Sequence, residues 1–236
     1  MFEVFITNLG RYNEGHLDGE YLKLPATTEQ VQALLKRIHV DGVQYEETFI
    51  TDYEIDIPGL YDCLGEYESV DELNYLAALL EELDEHELEK FGAAVEYGEY
   101  TRSVKDLINL AQNLDCYDYF PGVSDNEDLG YYLVDDLGMI DIPDHVTNYF
   151  DYEAYGRDMA INEGGTFAEN GYIIMGGGFI EHYNGRDDLP DEHRIFKYPE
   201  PEKSMLATMK HYQQMISEKA ASVVTHDRSR PVNAEL

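Results

Sequence analysis

Thr48-Phe49-Ile50-Thr51-Asp52-Tyr53-Glu54-Ile55 and, a short way on, Ser69-Val70-Asp71-Glu72-Leu73-Asn74-Tyr75-Leu76-Ala77 obey different periods. The first alternates apolar and polar residues, as a half-buried strand does. The second opens on a serine with an acid three residues later, an N-cap pattern. Val70, Leu73, Leu76, Ala77 and Leu80 then recur at helical spacing, a single buried stripe. A chain that changes period this way within one stretch is predicted to be α+β.

Towards the N-terminus, Phe2, Val4 and Ile6 predict a strand, Tyr12-Asn13-Glu14-Gly15 a turn, and Tyr21 to Leu24 a second strand ended by Pro25. Thr27 and Gln30 form a capping box before a helix whose apolar face is Val31, Leu34, Leu35 and Ile38. Residues 1–61 therefore read as a small antiparallel sheet with one helix. Towards the C-terminus, Asp84/Glu87 and Ser103/Asp106 open two more helices. Their stripes are Leu88, Phe91 and Val95, then Val104, Leu107, Ile108, Ala111 and Leu114, so 62–116 reads as a helical bundle.

Residues 117–186 read as a mixed α+β unit. Ser124/Glu127 is expected to cap a helix bearing Leu129, Leu133 and Leu137 and ending near Gly138. Another helical stretch runs from Pro143 through Tyr149 and Phe150 towards Met159. Thr166-Phe167 and Tyr172-Ile173-Ile174 flank Asn170-Gly171, a hairpin signal, and Gly176-Gly177-Gly178 predicts a turn before Phe179 to Tyr183. Residues 187–200 read as a linker. From Pro201 a helix with the stripe Met205, Met209, Tyr212, Ile216 and Val223 is expected, and 225–236 as a frayed tail. The fold class is thus α+β, three small units with a helical C-terminal extension.

Charge narrows the function. The 236 residues hold 49 Asp and Glu against 16 Lys and Arg, a net −33. Residues 1–186 hold 40 acids and 9 bases, while the last 50 are nearly neutral, so a uniformly salt-adapted surface does not describe the chain. Nucleic acid and anionic membranes are repelled by such a field. No apolar run approaches the roughly 18 residues of a membrane span, and MFEVFITNLG has no basic leader region, so the expected compartment is the cytoplasm.

Catalytic patterns fail one by one. Asp52-x-Glu54-x-Asp56 places Ile57 and Cys63 where a calcium loop needs Gly and Glu, and the match beginning at Asp125 puts Leu129 at a ligand position. The eight histidines show no metal-binding spacing. The Gly pairs and triplet lack a following Lys-Ser/Thr, and there is no GxSxG elbow. Cys63 and Cys116 have no basic neighbour in sequence. No enzyme, no cofactor and no metal is the expectation.

A dense negative surface on a folded scaffold suits a protein with a positive groove, of the kind that ordinarily holds nucleic acid. Duplex DNA carries one charge per about 1.7 Å, so 31 net charges correspond to about 50 Å of duplex, roughly 15 base pairs.

Three segments carry a family resemblance. Asn8-Leu9-Gly10-Arg11-Tyr12-Asn13-Glu14-Gly15 with Gly19-Glu20-Tyr21-Leu22-Lys23-Leu24-Pro25 resembles the opening of the ArdA antirestriction proteins. So does Tyr149-Phe150-Asp151-Tyr152-Glu153-Ala154-Tyr155-Gly156-Arg157-Asp158 with Gly138-Met139-Ile140 upstream, and Asp71-Glu72-Leu73-Asn74-Tyr75-Leu76-Ala77 in the middle. The resemblance covers about residues 1–183. It implies a non-enzymatic inhibitor carried by mobile DNA: an elongated, three-domain dimer that imitates bent duplex DNA. Such a protein occupies the DNA groove of type I restriction–modification enzymes, chiefly on the methyltransferase core.

Under that resemblance the phosphate-mimicking acids are Glu46, Glu47, Asp52, Glu54, Asp62, Glu66, Glu68, Asp71, Glu81, Glu82, Glu85, Glu89, Glu96, Glu99, Asp115, Asp118, Asp125 and Asp128. The dimer contact is placed within Gly138–Asp158, at Tyr149, Phe150, Tyr152, Tyr155 and Arg157. A local ion pair between Arg157 and Asp158, and ordinary packing of the aromatics, stand beside that assignment. The rival reading is an acidic interaction module for another basic, nucleic-acid-binding protein, with a divalent-cation binder as a third.

Overall fold

Phe2–Asn8 (β1) is the central strand of an antiparallel sheet, flanked by Gly19–Lys23 (β2) and Thr48–Ile55 (β3) in the order β2-β1-β3. The computed structural model describes residues 1–200, of which 1–199 form one unit. The helix and tail expected from Pro201 onward lie outside the described residues.

Pairing Val4 with both Leu22 and Tyr53 turns the apolar side chains of all three strands to one face. Thr28–Arg37 (α2) buries Val31, Leu34 and Leu35 in the same cluster, and its predicted capping box is formed. The turn expected at Tyr12–Gly15 begins as a single helical turn, Leu9–Asn13 (α1). Asn8 caps it and donates its buried amide to the Ile38 carbonyl at 3.0 Å, tying β1 to the end of α2.

Val70–Glu82 (α3), Glu85–Tyr97 (α4) and Val104–Ala111 (α5) follow, with Ser69, Asp84 and Ser103 accepting the N–H groups of Glu72, Glu87 and Asp106 as the sequence predicts. Their stripes join the sheet's inner face, and one buried cluster runs from Phe2 to Ile195. A second, small cluster holds Val123, Leu129, Leu133 and Tyr172.

A strand that the apolar spacing did not signal, Tyr117–Pro121 (β4), builds the second sheet with Thr166–Ala168 (β5) and Gly171–Met175 (β6), in the order β4-β6-β5. Ala168 pairs with Gly171, so the hairpin turn is Glu169-Asn170, one residue earlier than expected.

Asn126–Tyr131 (α6) is capped by Asp125 rather than Ser124: Asp125 accepts the Asp128 N–H at 2.9 Å, and Ser124 Oγ donates to the Asp128 carboxylate at 2.6 Å. The helix then widens into a π turn over Tyr132–Asp136. The extra residue per turn rotates the next side chains off the stripe, so Leu129 and Leu133 are buried and Leu137 is exposed. The stretch from Pro143 to Met159 is not one helix. A 3-10 turn at Thr147–Tyr149 gives way to extended Phe150, and Asp151 caps a new helix, Tyr152–Glu163 (α7).

Helices α6 and α7 meet backbone to backbone. A Cβ on Gly130 would collide with the Tyr152 carbonyl, and one on Gly156 with the Asn126 carbonyl.

The segments read as Phe179–Tyr183 and as a linker from 187 are docked on the main cluster without forming a strand, with Tyr183, Leu189 and Ile195 buried. Two buried asparagines, Asn109 on α5 and Asn113 just past its end, stand in for a neighbouring strand. Asn113 both donates to and accepts from the backbone of Ile180, at 2.8 and 2.9 Å. Asn109 accepts from His182 and Tyr183 N–H and donates to the Tyr183 carbonyl. Asp71 accepts the N–H groups of Ile195 and Phe196, while Glu72, 7 % exposed, accepts from the Tyr183 hydroxyl and from Arg186.

The glycine contact is testable. In a helix interior Gly156→Ala gains up to about 1 kcal/mol of propensity. Forcing a methyl into a filled space costs about 1–3 kcal/mol or more. Urea unfolding of the full chain should therefore show net destabilisation; a stabilised Gly156→Ala variant would refute backbone contact between α6 and α7.

Candidate acidic interface

The predicted acids are distributed along the elements just described. Glu46 and Glu47 precede β3, and Asp52 and Glu54 lie on it. Asp62 sits in a 3-10 turn at Tyr61–Cys63, with Glu66 and Glu68 in the loop before α3. Asp71 opens α3 and Glu81 and Glu82 close it. Glu85, Glu89 and Glu96 are on α4, and Glu99 lies just past it. Asp115 is in a 3-10 turn before β4, Asp118 on β4, and Asp125 and Asp128 at the start of α6. All are exposed except Glu68, Asp71 and Asp128, which are partly covered.

Local rules of stability are broken at several of them. Glu81 and Glu82 occupy the last turn of α3 and Glu96 that of α4, where no base is present and the helix dipole disfavours an anion by about 0.3–1 kcal/mol. Glu85 and Glu89 are a like-charged i, i+4 pair, destabilising by about 0.2–0.5 kcal/mol. Glu54 stands directly opposite Glu3 across β1 and β3, another repulsive pair, with Lys23 on the far side of Glu3. Six bases are ion-paired elsewhere. Arg11 pairs with Asp18, Arg37 with Glu20, Lys105 with Glu181, Arg157 with Asp158, Arg186 with Glu72 and Arg194 with Asp191. None of these six bases takes up any of the eighteen predicted acids.

Some of the eighteen have structural work. Asp71 holds the 195–196 backbone, and Asp125 and Asp128 organise the start of α6. The hydrogen bonds from Ser124 keep the Asp128 carboxyl below the usual range. Glu96 accepts the Glu169 N–H at 2.8 Å. Asp52 accepts the Tyr21 hydroxyl at 2.6 Å, and that bond, with burial behind it, pushes the phenol up to about 12.

The five residues expected at a subunit contact fall into two groups. Tyr149 is 87 % exposed in its 3-10 turn, and Arg157 is exposed and ion-paired to Asp158 at 3.3 Å. Tyr152 is buried, stacked on Tyr131 at 4.1 Å, and Phe150 packs edge-on to Tyr152 and beside Tyr155, both half-buried. Sequence reasoning missed that Leu137, Met139, Val146 and Ile161 are also exposed, a run of uncovered apolar side chains in 137–161 that periodicity assigned in part to the core.

Among the described residues, no group of three or more His, Cys, Asp or Glu side chains is arranged to hold a metal, and no helix is long and apolar enough to cross a membrane. Burial pushes the thiols of Cys63 and Cys116 up.

The family model for Antirestriction protein (ArdA) matches residues 4–174. The chain belongs to the ArdA antirestriction family. No curated protein matches it in sequence. The ArdA match runs from within β1 to Ile174 in β6, takes in helices α1 to α7 and every predicted acid, and stops short of the asparagine-clamped segment at 180–183.

Repulsion and acid titration make opposite demands on this ArdA chain. Hydrogen bonds from Arg11, from the Tyr45 and Val43 amides and from Asn184 depress the carboxyls of Asp18, Asp41 and Asp188. These groups bind fewer protons folded than unfolded. Their stabilisation is full above the unfolded value of about 3.9 and is lost as pH falls through the lowered folded values. Stability should therefore hold or rise from pH 7 to pH 5, as repulsion eases, and fail only below about pH 4. The melting temperature at pH 7 should also climb with salt, as the screening length contracts from about 30 Å at 0.01 M to about 10 Å at 0.1 M. A melting temperature that falls with added salt would show that surface repulsion is not a material strain on the fold.

Proposed function

We propose that this protein is a non-enzymatic inhibitor that imitates duplex DNA and occupies the DNA-binding groove of a type I restriction–modification enzyme, on its methyltransferase core. The acids of 1–61, 62–116 and 117–186 act as successive stretches of surrogate phosphates. The observation that carries the reading is where the ion pairs fall among the described residues: Arg11, Arg37, Lys105, Arg157, Arg186 and Arg194 each pair with a carboxylate outside the predicted set, while most of the predicted acids stand exposed. Acids kept in the last turns of α3 and α4, against the helix dipole, support it further.

In this mechanism the partner's lysines and arginines exchange phosphates for Asp and Glu carboxylates. Binding then depends on summed charge and weakens with salt. We also propose a homodimer joined within residues 138–158, with Tyr149 and its exposed apolar neighbours as anchors.

Titration into a purified type I methyltransferase bound to a labelled recognition duplex should displace the DNA near stoichiometric amounts, less so as salt rises. Single changes such as Glu85→Gln or Glu99→Gln should weaken binding by about 0.2–1 kcal/mol each, and four together by the sum. Absence of displacement at large excess would transfer the acidic surface to a different basic protein. For the dimer, light scattering should report two chains for the native protein and one for Tyr149→Glu. A native monomer, or a variant that still dimerises fully, would remove Tyr149 from the contact.

A further inference from the structure

One concavity on this surface is unlike a duplex. Between the free end of β1, the corner where α3 turns into α4 and the tip of the β5–β6 hairpin lies a groove of about 870 Å³. Its apolar lining comes from Leu24, Ile57, Pro58, Leu80, Leu83 and Leu88, and its charged lining from Asp56, Glu81, Glu85, Glu89 and Glu169. Against these five carboxylates stand Lys23 and the Met1 amine, the latter already paired with Asp56 at 2.9 Å. Glu169 and Asp56 are not among the acids predicted as phosphate mimics. Chain folding alone brings the hairpin tip and the end of β3 to the acids of α3 and α4.

Two requirements act on any occupant. The apolar lining contributes only to a ligand that brings apolar side chains and removes them from water. The carboxylates repel nucleotides, nucleic acid, fatty acids and other anions, and attract cations. Apolar bulk with positive charge on either side is the chemistry of a basic amphipathic helix, whose i, i+3/i+4, i+7 residues enter a groove while Lys and Arg lie along its edges. Phosphate mimicry makes no use of an apolar hollow.

We propose that this groove docks a basic amphipathic helical segment of a partner protein. The inference goes beyond the duplex-mimic reading and does not depend on it, since it requires no restriction enzyme.

The test uses the full chain with methyl-labelled Leu and Ile and two probes: a 14-residue Leu/Lys peptide of helical spacing, and a peptide of equal charge with Ser replacing every Leu. The Leu/Lys peptide should shift the methyls of Ile57, Leu80, Leu83 and Leu88 saturably and bind at least about tenfold more tightly than the Ser peptide, a difference of about 1.4 kcal/mol. The double change Leu83→Gln, Leu88→Gln should abolish that advantage, and Glu85→Gln with Glu89→Gln should weaken binding and its salt dependence. Mapping on the native chain keeps the test decisive if the leucine variant does not fold. Equal affinity for both peptides, shifts spread over the acidic surface, or groove methyls that do not respond would each overturn the proposal. The last result would also arise if another part of this chain or a second copy filled the groove. Displacement of DNA from a methyltransferase is read separately, so either idea can fail while the other stands.

Discussion

Mutual repulsion among carboxylates is the constraint that the rest of this structure accommodates. A net −33 on 236 residues raises the free energy of any compact state relative to an expanded one. The described part of the chain answers with a buried cluster that gathers both sheets, the four helices α2 to α5 and the 183–195 segment around one interior. Among the described residues, charge is kept outside that interior with one exception, Glu72, whose two oxygens are taken by Tyr183 and Arg186. The acids thus sit on a frame whose cohesion is apolar and whose buried Asn8, Asn74, Asn109, Asn113 and Glu72 are hydrogen-bonded.

Elements carried by local chemistry were legible in the sequence. Strand β3 falls on the predicted Thr48–Ile55, and the caps at Thr27, Ser69, Asp84 and Ser103 are all formed, because each depends on a side chain reaching a backbone N–H three residues away. Elements that depend on distant partners were not. Strand β4 is five residues long, and its pairing partner lies some fifty residues downstream. The π turn after α6 reversed the expected burial of Leu137, and the break at Phe150 arises from the Asp151 cap, which the apolar spacing did not reveal.

The candidate surface divides the same way. Composition and charge runs pointed to the acids, and most of them are exposed. The dual duty of Asp71 was invisible, since the amides it binds belong to residues 195 and 196. Tyr152 and Tyr149 look alike in sequence, yet one is stacked inside and the other stands in solvent, because the new helix begins between them. The proposed imitation of a duplex would account for acids in the last turns of α3 and α4, where stability alone would place lysine or arginine.

The clamps of Asn109 and Asn113 hold residues 180–183 through the strap's main-chain atoms alone. A strand seated in a sheet has its side chains sorted by the pleat, so a slip of one residue turns every one of them the wrong way. A clamped segment has no such sorting beyond Tyr183, whose ring is buried. Ile180 and His182 are accordingly open to drift in amino-acid identity without disturbing how the backbone is gripped, whereas Glu181 also pairs with Lys105. Asn109 and Asn113, surrounded by apolar neighbours and each matched to backbone donors and acceptors, have almost no acceptable substitutes. The chain's tolerance to change is set at this point by two amides, one on α5 and one just past its end, and a lineage that altered the strap would leave its record elsewhere than at those two positions.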